Sequence, residues 1–152
     1  MQSIVNILHS YNRYLILAAL VYVLFRSFSG WLGKKPFTKA DNTASLVLMI
    51  LAHTQLLLGL IQYFVTSPFT TSANANMDSA WVRYFKMEHI TGMILAIVLI
   101  HLGRTFSKKA SSDELKHKKL AVYTAVATLI IVGMLAMKGL LFSTVVDAVS
   151  AQ

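Results

Sequence analysis

From Asn42 to Met77 the chain carries no charged side chain. A helix that keeps one face in water needs polar residues on that face every turn, and this interval does not supply them. Hydrocarbon asks for the opposite composition. At about 1.5 Å of rise per residue, roughly 20 apolar residues cross a bilayer. The segment Thr43–Val65 meets that length, and three others resemble it. They are Ile4–Phe28, with an uncharged core from Tyr14 to Phe25, Val82–Phe106, uncharged from His89 to Gly103, and Lys119–Val145, uncharged from Leu120 to Met137. The pattern predicts an all-α fold: one transmembrane domain over residues 1–152, a four-helix up-down bundle with little outside the bilayer. Composition agrees. With 56% hydrophobic and 13% charged residues and a mean hydropathy of +0.61, a soluble domain of 152 residues could not bury its apolar surface.

The charges that remain are segregated. The stretch after the first segment holds Lys34, Lys35 and Lys39, with Arg26 before it. The stretch after the third holds Lys108, Lys109, Lys116, Lys118 and Lys119, with Arg104 before it. Those are ten of the fourteen Lys and Arg residues; only Arg13, Arg83, Lys86 and Lys138 lie at the other end. The positive-inside rule therefore puts both basic loops in the cytoplasm and both termini in the periplasm. The net charge of +8 is thus topological, and no basic face interleaved with aromatics points to nucleic acid. Absence of cysteine excludes disulfides, zinc–thiolate sites, iron–sulfur clusters and covalently attached haem. No cleavable leader is evident, since the first apolar segment carries His9 and Arg13 at its start and no A-x-A site follows it.

Local signals fit this plan. Gly30, Gly33 and Pro36 stop the first helix, and Ser111 or Ser112 before Asp113 and Glu114 caps a cytoplasmic extension of the fourth. Loop two, from Ser67-Pro68-Phe69 to Asp78, reads as a flexible external loop. Trp81 and Tyr84 at the outer end of helix three, and Trp31 at the inner end of helix one, suit interfacial belts.

Polar side chains inside membrane segments are costly and mark function. Helix one offers Asn6, His9 and Arg13 at spacings of three and four, hence on one face. Helix two offers His53, Gln55 and Gln62, helix three Glu88, His89 and His101, and helix four Lys138. His117, among lysines, reads as solvated. Depth sorts the other four histidines. His9 and His89 both lie about 10 Å from the outer boundary, whereas His101 and His53 lie about 9 and 15 Å from the inner one. His89 and His101 are about 18 Å apart along helix three and about 120° apart around it.

Two stacked b-type haems, with outer ligands His9 and His89 and inner ligands His53 and His101, need this arrangement, because bis-histidine ligation takes one imidazole from each facing helix. Helices one and three would then stand diagonally. Arg13, Lys138, Arg83 and Lys86 on the outer side, and Arg26 and Arg104 on the inner, could meet haem propionates. Gly59 and Gly92 leave room for a flat ring or for close helix packing. Met87, Met93, Met134 and Met137 could ligate iron but equally fill the core. Two other readings stay open. His9, His89, Arg13 and Glu88 could bind a quinone headgroup, or form an ion-pair cluster that only fixes the bundle, as in an accessory subunit of a larger membrane complex. There is no nucleophile–base constellation and no phosphate loop, so an electron carrier or accessory subunit is expected rather than a stand-alone enzyme.

The stretches LHSYNRY (Leu8–Tyr14), SGWLGKKPFTKADN (Ser29–Asn42), HTQLLLGLIQYFV (His53–Val65), EHITGMILAIVLIHLGR (Glu88–Arg104) and DELKHKKL (Asp113–Leu120) together resemble a family of small four-helix membrane proteins of Bacteroidota, commonly labelled cytochrome-b-like. The resemblance covers most of the chain, and its loop SGWLGKKPFTKADN is the most specific part. It implies a bacterial inner-membrane protein with a b-type haem. His9, His53 and His89 carry over best; relatives have the polar residue corresponding to His101 about a turn later, so the resemblance bears on the outer haem more than on the inner.

Topology is open to a direct test. Alkaline phosphatase fused after Gln152 should be active, and Lys34 and Lys116 should be reachable only from the cytoplasm. An inactive phosphatase, with an active cytoplasmic reporter at the same point, would invert the assignment.

Overall fold

The computed structural model describes residues 4–72 and 76–143. The expected fourth helix beyond Ser143, the middle of loop two and both chain ends lie outside the described residues. Four helices are long and apolar enough to cross a membrane: Ile4–Leu32, Lys39–Thr66, Ala80–Lys109 and Asp113–Ala136. The protein is an all-helical, multi-pass membrane protein built as a four-helix bundle. Elements run α1 (Ile4–Leu32), α2 (Lys39–Ile61), α3 (Pro68–Thr71), α4 (Ala80–Arg83), α5 (His89–Lys109) and α6 (Asp113–Ala136). α2 continues into a π-helical turn, Gln62–Thr66, and a second one, Tyr84–Glu88, joins α4 to α5 without a break. α1 packs on α2 and α6, and α5 packs on α2 and α6, so α1 and α5 stand on opposite corners.

Helix ends follow local chemistry. α1 runs past Gly30 to Leu32 and ends where Lys34 enters the left-handed region (φ 49°), with Lys35 N–H bonded to Gly30 O (2.9 Å) and Lys34 N–H to Trp31 O (3.4 Å). That is a Schellman end with lysine in place of the usual glycine. Ser112 caps α6, its Oγ accepting from Leu115 N–H (3.3 Å). α6 therefore starts six residues before Lys119 and ends at Ala136, short of the expected Val145. Gly139 (φ +66°) stops it, with Leu140 N–H on Leu135 O (2.8 Å) and Gly139 N–H on Ala136 O (3.1 Å).

Large apolar side chains such as Val21, Phe25, Leu57, Phe64, Leu95 and Leu129 face outward, where lipid receives them. The buried positions are often small: Ser27, Ser45, Ala52, Ala96, Ser107, Ala121, Thr124 and Ala127. Small residues let helix backbones approach, which is how membrane helices associate without a hydrophobic drive between them. Gly103 takes the flank of Tyr123, where a Cβ would come within 2.6 Å of Tyr123 Cβ.

The basic end is tied by charge-assisted bonds. Arg26 Nε donates to Asp41 Oδ1 (2.7 Å), and Asp41, 3% exposed, also accepts from Thr38 N–H (2.8 Å). Arg104 donates to Asn42 O (2.9 Å), Asn42 Oδ1 (3.0 Å) and Ser45 Oγ (2.6 Å). Both arginines thus hold the start of α2 and are engaged within the protein rather than left for propionates.

Two expectations are corrected here. His117 is not solvated but 1% exposed; early on α6, it lies in the cradle of Gly30, donates Nε2–H to Pro36 O (3.3 Å) and meets the Phe37 ring at 5.0 Å. Trp81 and Tyr84 do not form an interfacial belt, since both are buried in the bundle. Trp31 is half-buried and stacks under the Lys118 ammonium at 5.7 Å.

A Cβ on Gly30 would fall 2.3 Å from His117 Cε1. Gly30→Ala should therefore destabilise the detergent-solubilised protein by about 1–3 kcal/mol, the usual cost of overpacking. Adding His117→Ala should recover part of that loss. Equal melting of Gly30→Ala and the native chain would contradict the close approach.

Candidate functional site

At the end opposite the basic loops, α1, α2 and α5 enclose a cavity of about 280 Å3. Asn6, His9 and Arg13 line it from α1, as their spacing requires. Gln55, Gly59, Gln62 and Tyr63 line it from α2 and its π-helical turn, with Phe69 from α3 and Phe85, His89 and Met93 from the α4–α5 helix. The floor is aliphatic, including Ile16, Ile97 and Leu135. Mostly apolar walls with a few converging polar groups are the mark of a ligand site.

Hydrogen bonds on the α1–α2 side are closely matched. Asn12 Nδ2 donates to Gln55 Oε1 (2.8 Å) and Leu51 O (3.0 Å), and Gln55 Nε2 to His9 O (3.0 Å). Gln62 Nε2 and Thr66 Oγ1 donate to Asn6 Oδ1 (3.0 and 3.2 Å). Around the cavity the matching stops. His9 Nδ1, His89 Nδ1 and Arg13 Nε are buried without a hydrogen-bond partner among the described residues. Arg13 is otherwise held: its Nη2 donates to Tyr14 Oη (2.9 Å) and Ser143 O (3.1 Å), and its guanidinium lies 4.7 Å from the Tyr14 ring centre. The His9 ring leans on Gly59, where a Cβ would sit 3.3 Å from Cε1. The His89 ring is held between Tyr84 (5.5 Å) and Phe85 (5.6 Å), and Tyr84 is fixed by its hydroxyl on Met134 O (2.7 Å). Phe69, Phe85 and Trp81 stack beside it, with Lys138 5.1 Å from the Trp81 ring centre. Gly92 opens space for Met134 rather than for a ligand.

Glu88 departs from expectation. It does not reach Arg13 but pairs with Arg83 (3.3 Å) at the surface, where the two side chains are 37% and 54% exposed. The cause is the π-helical turn. A turn closed i→i+5 inserts a residue, so counting at 100° per residue across Tyr84–Glu88 gives the wrong face. Beyond that turn α5 is regular and the 120° between His89 and His101 holds. His89 faces the cavity, while His101 lies exposed on the outside of the bundle. There its ring meets His53 at 5.6 Å between centroids, at 86°.

The two histidine pairs differ in their capacity for haem. The outer pair sits on diagonal helices and lines one cavity from opposite sides, so that one imidazole from each helix could meet a flat ring between them; these residues fit one haem. The inner rings already touch each other between α2 and α5, which pack directly. Helices at such contact leave no slot for a macrocycle spreading beyond both imidazoles, so the inner pair does not fit a second haem. Sequence reasoning puts Tyr84 in an interfacial belt and Phe69 in an external loop and brings neither them nor Phe85 to the site, because the π-helical turns and the short α3 that hold them have no period of their own to detect. No protein-family model, no curated protein and no solved structure matches this chain.

The surface position of Glu88 has a measurable consequence. Glu88→Gln should change stability by less than about 1 kcal/mol, as for other exposed ion pairs. A loss several times larger in a thermal melt would return Glu88 to the buried cluster.

Proposed function

We propose that this protein is a b-type cytochrome-like electron carrier that holds one haem non-covalently in the outer cavity, where His9 and His89 would hold the iron. The observation that carries the reading is that two histidines, His9 and His89, line one largely apolar cavity from diagonal helices. The resemblance to cytochrome-b-like membrane proteins points the same way. When bound, haem supplies one-electron redox chemistry. The chain supplies the rest. Gly59 gives the His9 ring its place, and Tyr84 and Phe85 fix the plane of His89. Arg13, anchored by Tyr14 and the Ser143 carbonyl, lines the cavity with a guanidinium, a group that would stabilise a carboxylate there. The aliphatic floor excludes water, and low polarity around a haem is one of the levers on its potential.

In this reading the protein lies in a bacterial inner membrane with both termini periplasmic, and passes electrons within or beside a respiratory assembly whose other subunits, with lipid, are its partners; nucleic acid is not among them. A quinone headgroup hydrogen-bonded by the same two imidazoles, and a cofactor-free accessory subunit, are the readings the test separates.

A visible spectrum of the purified protein decides. A Soret band with a dithionite-sensitive α band is expected, at about one haem per chain. His9→Ala and His89→Ala should each abolish it, whereas His53→Ala and His101→Ala should keep it. Colourless native protein after expression with ample haem, or full haem content in both outer variants, would overturn the reading.

A further inference from the structure

The inner pair has chemistry of its own. His53 donates Nδ1–H to Met49 O at 2.8 Å. A neutral imidazole held in that tautomer presents an unprotonated Nε2, an acceptor, on its far edge. His101 stands beside it on the neighbouring helix, exposed, with no hydrogen bond from its side chain among the described residues. It lies about 9 Å from the inner end of the apolar span, within the part of the helix that crosses hydrocarbon. The exposed neighbours, Ile50 and Leu57 on α2 and Val98 on α5, are apolar, and Thr54 has already donated its hydroxyl to Ile50 O (2.9 Å). An imidazole turned to lipid with nothing to bond is costly, and no charged lipid headgroup reaches that depth. The missing partner has to arrive through the lipid phase as a neutral molecule carrying a strong hydroxyl donor.

We propose that His53 and His101 form a docking point for the headgroup of a lipid-borne quinol. Its phenolic hydroxyl donates to His53 Nε2 and accepts from the ring N–H of His101, while its flat ring lies in the groove between α2 and α5. The two imidazoles lie edge to face with centroids 5.6 Å apart, close enough for one oxygen to bond both rings. The proposal goes beyond the haem reading and does not depend on it, because the two sites share no residue.

The test uses the whole protein in nanodiscs of phosphatidylcholine, titrated anaerobically with an alkyl-tailed benzoquinol. Ring-nitrogen resonances of 15N-histidine should move for His53 and His101 and stay for His9 and His89. His101→Leu should weaken quinol binding about tenfold or more, as loss of one hydrogen bond from a desolvated site does. Since His101 faces outward, its removal leaves the core intact, and an unchanged melting temperature separates lost binding from lost fold. The oxidised quinone, with no hydroxyl to give His53, should bind more weakly than the quinol. Unmoved inner resonances, native affinity in His101→Leu, equal binding of quinone and quinol, or loss of binding in His9→Ala instead would each overturn the proposal. The absence of a Soret band, with these shifts present, would fail the haem reading alone.

Discussion

The register between α1 and α2 governs the far half of the bundle, and amide side chains set it. In water an amide pair exchanges with solvent and contributes about 1 kcal/mol. In hydrocarbon the exchange partner is missing, and interhelical polar bonds there measure roughly 0.6 kcal/mol, up to about 1.7. The energy per bond is modest, but the geometry is strict. Moving α1 by a single residue shifts it about 1.5 Å, enough to break the Asn12–Gln55, Gln55–His9 and Gln62–Asn6 bonds together. Those bonds hold His9 at the height of Gly59, where its ring has space. The height of His9 in the cavity is thus a consequence of matched amides in the cavity's own wall.

Width is set from the other end. Near the basic loops Gly30 receives His117, Gly103 receives Tyr123, and Arg26 and Arg104 draw the start of α2 against α1 and α5. At the far end the buried residues are large, Trp81 and Tyr84 among them, and both long hairpin helices carry a π-helical turn. Four rods pinned closely at one end and propped by aromatics at the other part along the diagonal, and α1 and α5 are a diagonal pair. The opening therefore appears where His9 and His89 stand, while the neighbouring helices α2 and α5 stay closed around His53 and His101.

Much of this was legible in the residues. The charge-free interval from Asn42 to Met77 gives the span of α2, the Ser112–Asp113–Glu114 signal gives the early start of α6, and the spacing of Asn6, His9 and Arg13 gives the cavity face of α1. The misses share two causes. Hydropathy locates spans but not stop signals, so the Gly139 terminus that ends α6 near Ala136 was overrun. Periodicity assumes 3.6 residues per turn, so the π-helical turn hid the outward path of Glu88 and the inward aim of Tyr84. The lysine neighbours of His117 suggest a solvated side chain, but its spacing to Leu120, Ala121 and Thr124 continues the buried stripe of α6.

α5 carries one histidine of each pair, and what lies between them constrains how they can be linked. From Ile90 to Ile100 the only polar side chain is Thr91, and it points outward. The inward side of that stretch is Met93, Ala96, Ile97 and Ile100, which neither donate nor accept a proton. A proton on His89 therefore has no side-chain relay along α5 to His101, about 18 Å further on. Electrons tunnel through apolar packing and do not need such a chain. The apolar stretch of α5 therefore leaves its two histidines without a chemical link through their own helix.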